Sequence, residues 1–462
     1  MDVISFENVA DVCYDPNDPL YWDRDSLRRE VDRTFDLCNS CRMCFKYCTA
    51  FPRLFEIMDG PADGDVRNIS EADQKKVIGE CYQCKICYVA CPYTDADGHK
   101  YDLNFPALMQ RAVNIDAREN GISFRSKVLQ NPDMAGKMNT GLISRLVNKT
   151  MNMNFHRKIM QAILGIHKDK KLPEFHRTSF ARWFQKYRKK QEQEHTLIAD
   201  PVAKVVLFST CFVNYNNPSL GRDVVEVLER NRVHVDCPEQ NCCGMPALES
   251  GDLKFAIKKM KRNVRLLLPY AKQGYKILAV NPTCSLTLKQ EYVRFLPEKD
   301  RDDAQVVAQA TMDLHEFLFE LKKDDKLNRD FLSSPGKVAY HVPCHLRAQN
   351  IGFRSRDVMK LVPESQIGVV ADCCGHDGTW AMKKEYFDLS MTAGKRAFEG
   401  LSEQNADVVA TDCPLAAIQL EQGMQADTRP LHPIQVLARA YRRPEAGGWT
   451  KPIESNSRPG GS

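Results

Sequence analysis

The sequence predicts a multidomain chain of mixed class, α+β in its first part and α/β in its second. Three observations predict it. Two runs of four cysteines near the amino end share one spacing, a cysteine-bearing strand–helix pattern occurs twice in the second half, and a basic helical stretch lies between. At 462 residues the chain has core enough for roughly two to four domains, so nothing small needs stapling. Net charge is only +5, which argues against nucleic acid as a partner. Eighteen cysteines are many for this length. The opening MDVISFENVADVCYD is acidic and has no apolar core, so no secretory leader is expected, and no run of about 18 apolar residues would span a membrane. Cysteine richness without secretion points to metal ligation in a cytoplasmic chain rather than to disulfides.

Residues 1–34 read as an acidic adaptor with a short helix, WDRDSLRREVDRTF. Residues 35–130 carry CNSCRMCFKYC at 38–48 and CYQCKICYVACP at 81–92, both spaced C-x2-C-x2-C-x3-C. A cubane iron–sulfur cluster needs four converging thiolates. Three close cysteines cap three irons, and in the two-cluster ferredoxin arrangement the fourth comes from the other run. Cys38, Cys41, Cys44 and Cys91 are therefore expected at one [4Fe–4S] cluster, and Cys81, Cys84, Cys87 and Cys48 at a second. Pro92 stands where the bacterial motif has proline, and Thr49 departs from it without touching a ligand. Structural zinc would leave four of the eight thiols idle. The expectation for 35–130 is a two-cluster ferredoxin-like helical domain.

Residues 131–200 form a basic connector. Between Arg145 and Lys190 it carries thirteen Lys or Arg against two acids, Asp169 and Glu174. Phe155, Ile159, Ile163 and Ile166 recur at helical spacing, as do Phe180, Trp183, Phe184 and Tyr187 beside Arg182, Lys186 and Arg188. Such a stretch fits a peripheral helix on an anionic membrane, where each basic residue contributes about 1 kcal/mol. It equally fits a helix packed on the core with solvated charges.

Residues 202–293 and 337–422 align roughly 130 residues apart, which defines two repeated α/β modules at 201–330 and 331–441. Each opens on an apolar strand ending in a cysteine (Cys211 or Cys344). Each then carries a vicinal pair followed by glycine, Cys242–Cys243 in NCCGMPA and Cys373–Cys374 in DCCGHDGTW, and closes on a second strand ending in Cys284 or Cys413. Ligands at strand ends converge at the carboxyl edge of a parallel sheet. Each module thus offers four thiols, fit for a further iron–sulfur cluster, zinc, or a dithiol. Cys237 is either a fifth ligand or a buried thiol, Cys13 is inert, and His345 and His376 are either ligands, proton carriers or structural histidines. Residues 442–462, rich in Gly, Pro and Ser, read as a disordered tail.

The twice-repeated C…CCG…C pattern resembles the CCG domain of heterodisulfide reductase subunits and related iron–sulfur oxidoreductases. With two ferredoxin runs ahead of it, the order of parts resembles the iron–sulfur subunits that serve flavoprotein dehydrogenases. The resemblance covers about residues 35 to 440 and rests on STCFVNYNNPSLGRD, CCGMPA, NPTCSLTLKQEY, YHVPCH and CCGHDGTWAMKKEYF. It implies a non-catalytic carrier, without flavin of its own, that takes electrons from a flavoprotein dehydrogenase and delivers them to membrane quinone. Glycerol 3-phosphate, lactate and glycolate dehydrogenases all fit as partners, the first best. The full motif ends in C-x2-C; here Thr287 and Ala416 stand at the second position, leaving four thiolates per module. That departure counts against a heterodisulfide-type thiol/disulfide reductase, which with a zinc-stabilised scaffold is the alternative reading.

Overall fold

A computed structural model describes residues 4–453. The first domain is helical. Arg24–Cys41, Ala50–Asp59, Glu71–Glu80 and Phe105–Asn120 surround one core in which Phe35, Phe51, Leu54, Met58, Val77 and Leu108 are fully or nearly fully buried. Side-chain caps start three of these helices, from Asp23, Ser70 and Asn104, each accepting from an otherwise orphaned backbone N–H. The buried Arg111 guanidinium holds the adaptor down by donating to the carbonyls of Tyr21 and Asp11 and to Ser26 Oγ.

The second half contains two parallel sheets. In the first, β1 (Ala203–Phe208), β2 (Val233–Asp236), β3 (Lys276–Ala279) and β4 (Thr311–Asp313) lie in the order β2-β1-β3-β4. Two short strands, β5 (Ser333–Ser334) and β9 (Lys451–Pro452), pair antiparallel. In the second parallel sheet, β6 (Lys337–His341), β7 (Gln366–Val370) and β8 (Val408–Thr411) lie in the order β7-β6-β8. The orders superpose: β6 stands for β1, β7 for β2 and β8 for β3. Leu431, bridged in parallel to Ala410, takes the place of β4. Helices cover both faces, so the strands are continuous apolar runs such as Val205–Phe208, all fully buried. One hydrophobic core joins the modules, running from Val205 and Leu278 through Leu318 to Val358, Leu437 and Tyr441. The mixed class and the repeat expected from the sequence are what the structure has.

One expectation is corrected, and a pair of open readings is divided. Residues 442–453 are ordered: Trp449 N–H donates to Ser333 Oγ, Ile453 is buried, and β9 pairs with β5. The rest of the expected disordered tail lies outside the described residues. The basic stretch does not present one continuous face either. Helix Phe180–Gln193 packs on the first module with Phe180 and Phe184 buried, and Gly221 leaves the space that the Phe180 ring occupies. Its apolar stripe is a core stripe. Residues 166–171 tuck against the second module through the Ile166–Lys383 bridge and buried Lys170. Only the helices Ser144–Met151 and Asn154–Leu164 stay outward, with Leu146, Phe155 and Ile163 each more than 60 % exposed. No helix among the described residues is long and apolar enough to cross a membrane.

This division makes a prediction. Phe180→Ala should cost about 3–5 kcal/mol in chemical unfolding, as for a large ring removed from a core. Phe155→Ala should stay within about 0.5 kcal/mol of the parent, as for an exposed residue.

Candidate metal centres

The two cysteine runs bend on residues held in the left-handed region. Cys38 and Cys41 end the helix Arg24–Cys41, and Arg42 (φ 53°) turns the chain so that Cys44 follows in a short 3-10 turn. Arg42 is fixed there by a bidentate pair with Asp59. In the second run Gln83 (φ 55°) and Lys85 (φ 62°) do the same, and Cys87 enters the short helix Ile86–Val89. Gln83 Nε2 donates to the Pro106 carbonyl at 3.0 Å, and buried Lys85 pairs with Glu291 of the first module.

The thiols of the two runs lie close enough to oppose one another's ionisation. Burial pushes Cys38 far up, and after burial the charges that oppose its ionisation are those of Cys44, Cys91 and Cys41. Cys48 is pushed up by burial and then by Cys84 and Cys81, and Cys87 by burial and then by Cys84, Cys48 and Cys81. Cys91 thus lies near Cys38 and Cys48 near Cys87, and Cys44 acts on Cys87 as well. Four thiolates this close repel one another in a poorly solvated site, and only a strongly positive centre makes their ionised forms stable together. The donor set fits an iron–sulfur cluster.

The second half brings its cysteines to the carboxyl ends of the strands. In the first module Cys284 Sγ lies 3.5 Å from Cys243 Sγ, and Cys211, Cys242 and Cys243 form a chain of thiol contacts. Asp133, from the connector, accepts from Cys242 N–H at 2.8 Å and pairs with Lys259 at 2.7 Å. Where the missing fifth cysteine would stand, the Thr287 hydroxyl donates to the Thr283 carbonyl and opens one turn of π-helix. In the second module Cys344 contacts Cys373, while Cys374 lies nearest to Cys373 and Cys413. All the cysteines in these sets are free thiols.

The tertiary structure adds two arrangements that no spacing reveals. First, the modules share one cavity of about 90 Å³, lined by Cys211, Cys242, Cys243 and Cys284 from one and by Cys344, Cys374 and Cys413 from the other. Cys373 lines a separate cleft with Tyr47, Ile86 and Arg347. Second, that cleft side abuts the ferredoxin-like domain. Cys344 touches Cys84 as well as Cys373, and Tyr82 Oη lies 3.2 Å from Cys373 Sγ. Cys344, Tyr82 and the Gly375 N–H favour the Cys373 thiolate and hold it down at about 7, whereas burial sends Cys374 far up. Ring contacts lock the joint: Trp380 stacks on Tyr386 at 4.9 Å and meets the tilted Tyr82 ring at 4.7 Å, with Trp380 Nε1 donating to the Gly79 carbonyl.

The remaining candidates divide. His345 has both ring nitrogens engaged, with Thr283 Oγ1 at 2.9 Å and the Gln83 carbonyl at 3.0 Å, and burial holds it down at about 4. It is a neutral structural bridge. His376 sits on the cavity wall with neither ring nitrogen hydrogen-bonded. Cys237 joins the apolar core beside β2, burial raising it to about 12, and Cys13 lies buried outside every set. Sequence reasoning missed Tyr82, Asp133 and Lys170. Only Tyr82 carried a signal, its place inside C-Y-Q-C.

Gly375 has φ 72°, and a Cβ there would fall inside the Ser390 carbonyl of the helix Phe387–Ser402. Gly375→Ala should therefore displace the Cys373–Cys374 loop and lower the iron, sulfide or zinc measured per chain. Gly98 has φ 66° and open space around its Cα, so Gly98→Ala should cost only about 1 kcal/mol of backbone strain and no metal.

Residues 205–289 and 338–421 each match the family described as cysteine-rich domain, and residues 31–119 match the Fer4-like domain of citrate utilization protein B. The chain is 29% identical over 417 residues to one of the subunits of the anaerobic glycerol-3-phosphate dehydrogenase of Escherichia coli, covering 88% of this chain and 99% of that one. It is 30% identical over 218 residues to lactate utilization protein A of Geobacillus thermodenitrificans, covering 46% of this chain and 87% of the relative. It is 27% identical over 252 residues to one of the subunits of a fumarate reductase (CoM/CoB) from Methanothermobacter marburgensis, covering 52% of this chain and 47% of the relative. An amino-terminal Fer4-like domain followed by a duplicated cysteine-rich module places the chain in the CCG-domain family of iron–sulfur oxidoreductases.

Proposed function

We propose that this chain is the electron-carrying subunit of a dehydrogenase complex, taking electrons from a flavoprotein partner and passing them to membrane quinone. Cys38, Cys41, Cys44 and Cys91 would hold one [4Fe–4S] cluster, and Cys48, Cys81, Cys84 and Cys87 the other. The sets Cys211, Cys242, Cys243, Cys284 and Cys344, Cys373, Cys374, Cys413 would hold a centre each. Clusters in such sets store and release single electrons. The observation that carries the reading is contiguity: Cys84 of the ferredoxin-like domain touches Cys344 of the second module. Cys374 and Cys413 then face Cys243 and Cys284 across one cavity. Four thiol sets in a line suit conduction. The subunits of glycerol-3-phosphate dehydrogenase and fumarate reductase among the relatives support a place beside a dehydrogenase or reductase, with glycerol 3-phosphate the favoured substrate of the partner.

The entrance would be the first cysteine loop, where Met43 and Phe45 are 58 % and 61 % exposed beside Cys44. The membrane side would be the two outward helices of the connector. There Leu142, Leu146, Phe155 and Ile163 project, with Arg145, Lys149 and Lys158 exposed among them. Apolar side chains flanked by cations match an anionic bilayer surface.

Metal analysis of anaerobically purified chain tests the centres. Two ferredoxin cubanes account for about 8 iron per chain, and a count of about 12 or more that Cys373→Ser/Cys374→Ser lowers would put redox iron in the modules. A count that stops at about 8 would end the electron path at the cubanes and leave the modules to zinc or thiols. In a reconstituted complex, Cys373→Ser should leave the ferredoxin-like sets reducible by the partner but abolish quinone reduction. Retained quinone reduction would sink the proposed path. Leu146→Glu/Phe155→Glu/Ile163→Glu should lose co-sedimentation with vesicles of anionic lipid and keep its iron.

A further inference from the structure

Away from the cysteines, β4 of the first module and β8 of the second bring Asp313, His315 and Asp412 together. One ligating atom from each lies within 4.8 Å of the others, and all three residues are buried. Asp313 ends β4 and caps the helix Leu314–Lys323, His315 stands on the first turn of that helix, and Asp412 follows β8. Two carboxylates thus meet in an interface that water does not reach. Donors hold them in place: Tyr340 Oη and Ser355 Oγ on Asp412, the His315 N–H and Ser285 Oγ on Asp313. None of these donors is a cation. Lys289, whose charge reaches Asp313, is paired with Glu316 at 2.6 Å.

His315 is the second observation. Its side chain is 1% exposed, and neither ring nitrogen has a hydrogen bond. Nδ1 lies 3.2 Å from Asp412 Oδ1, at ion-pair distance but outside hydrogen-bond geometry, so the ring faces the carboxylate pair. Its neighbour makes the contrast plain. His432 packs beside it at 5.5 Å, yet His432 Nε2 meets the Val280 carbonyl and its Nδ1 accepts from Ile434 N–H. One histidine of the pair is satisfied within the fold and the other is not. A buried imidazole whose nitrogens are not hydrogen-bonded costs free energy unless something else binds it.

We propose that Asp313, His315 and Asp412 form a binding site for a divalent cation of the manganese or zinc class, which ties the two modules together at the carboxyl ends of their sheets. Two carboxylates and a neutral imidazole balance a charge of +2. Oxygen and imidazole donors without sulfur suit Mn²⁺ and Zn²⁺, whereas thiolates are the softer choice. Burial and the charge of Asp412 push Asp313 up to about 8, which a cation between the two would reverse. The site is separate from the cysteine sets in donors, though Asp412 adjoins Cys413 in sequence.

Mn²⁺ is the probe of choice because thiolates hold it poorly. The full chain, with its clusters oxidised and any bound divalent metal removed by a mild chelator, is titrated with MnCl₂ while the free-ion EPR signal is followed. One Mn²⁺ bound per chain with a raised melting temperature is expected, and ZnCl₂ should displace it. Asp313→Asn keeps the helix cap, since asparagine caps as well as aspartate. That variant and His315→Gln should each weaken Mn²⁺ binding at least tenfold with iron and sulfide content unchanged. No Mn²⁺ uptake by the parent, or equal uptake by both variants, would overturn the site and leave the three residues as a proton-sharing cluster.

Discussion

Sixteen of the eighteen thiols lie in the two C-x2-C-x2-C-x3-C runs and the two C…CCG…C patterns, and charge repulsion among closely set thiolates is the constraint on which the rest of the molecule depends. A thiolate taken out of water is costly, and three more beside it raise that cost. Burial and neighbouring sulfurs together raise Cys38, Cys48 and Cys87 far above a free thiol. Without a counter-charge such thiols stay protonated, and a positive centre is what would hold them together as thiolates. Left-handed residues turn the ferredoxin-like loops inward, and parallel strands deliver the module cysteines to one edge.

A metal bound in these sets would be coupled to folding. The helical domain, the connector and the two modules are stitched where the sulfurs lie, not at remote surfaces. Lys85 reaches Glu291, Asp133 reaches Cys242, His345 spans Thr283 and Gln83, and Trp380 reaches Gly79. Each stitch fixes a backbone segment that carries or adjoins a cysteine. Rigid contacts behind the ligands orient them and tune the electronics of the metal they hold. The exception is Cys373, which alone in its vicinal pair turns towards the ferredoxin-like domain. There Tyr82 and the Gly375 N–H favour its ionised form.

The connector shows how one composition serves two ends. Thirteen basic residues and two apolar stripes read alike along Arg145–Lys190. Packing separates them: Phe180 and Phe184 fill the first module's core, Lys170 is buried against Gln419, and Phe155 and Ile163 remain in solvent. A helix buries its stripe only where a complementary surface exists. Gly221 provides that surface for Phe180.

The sequence by itself determined the mixed fold class and the repeat, because cysteine spacing is local and a period of roughly 130 residues survives without any knowledge of contacts. It did not reveal which stripe of the connector is core, that 442–453 are ordered, or that the modules face each other across one cavity. Nor did it reveal that Asp313 and Asp412, 99 residues apart, meet around His315. Those features come from pairings between distant segments, whose chemistry is ordinary until the fold removes water from between them.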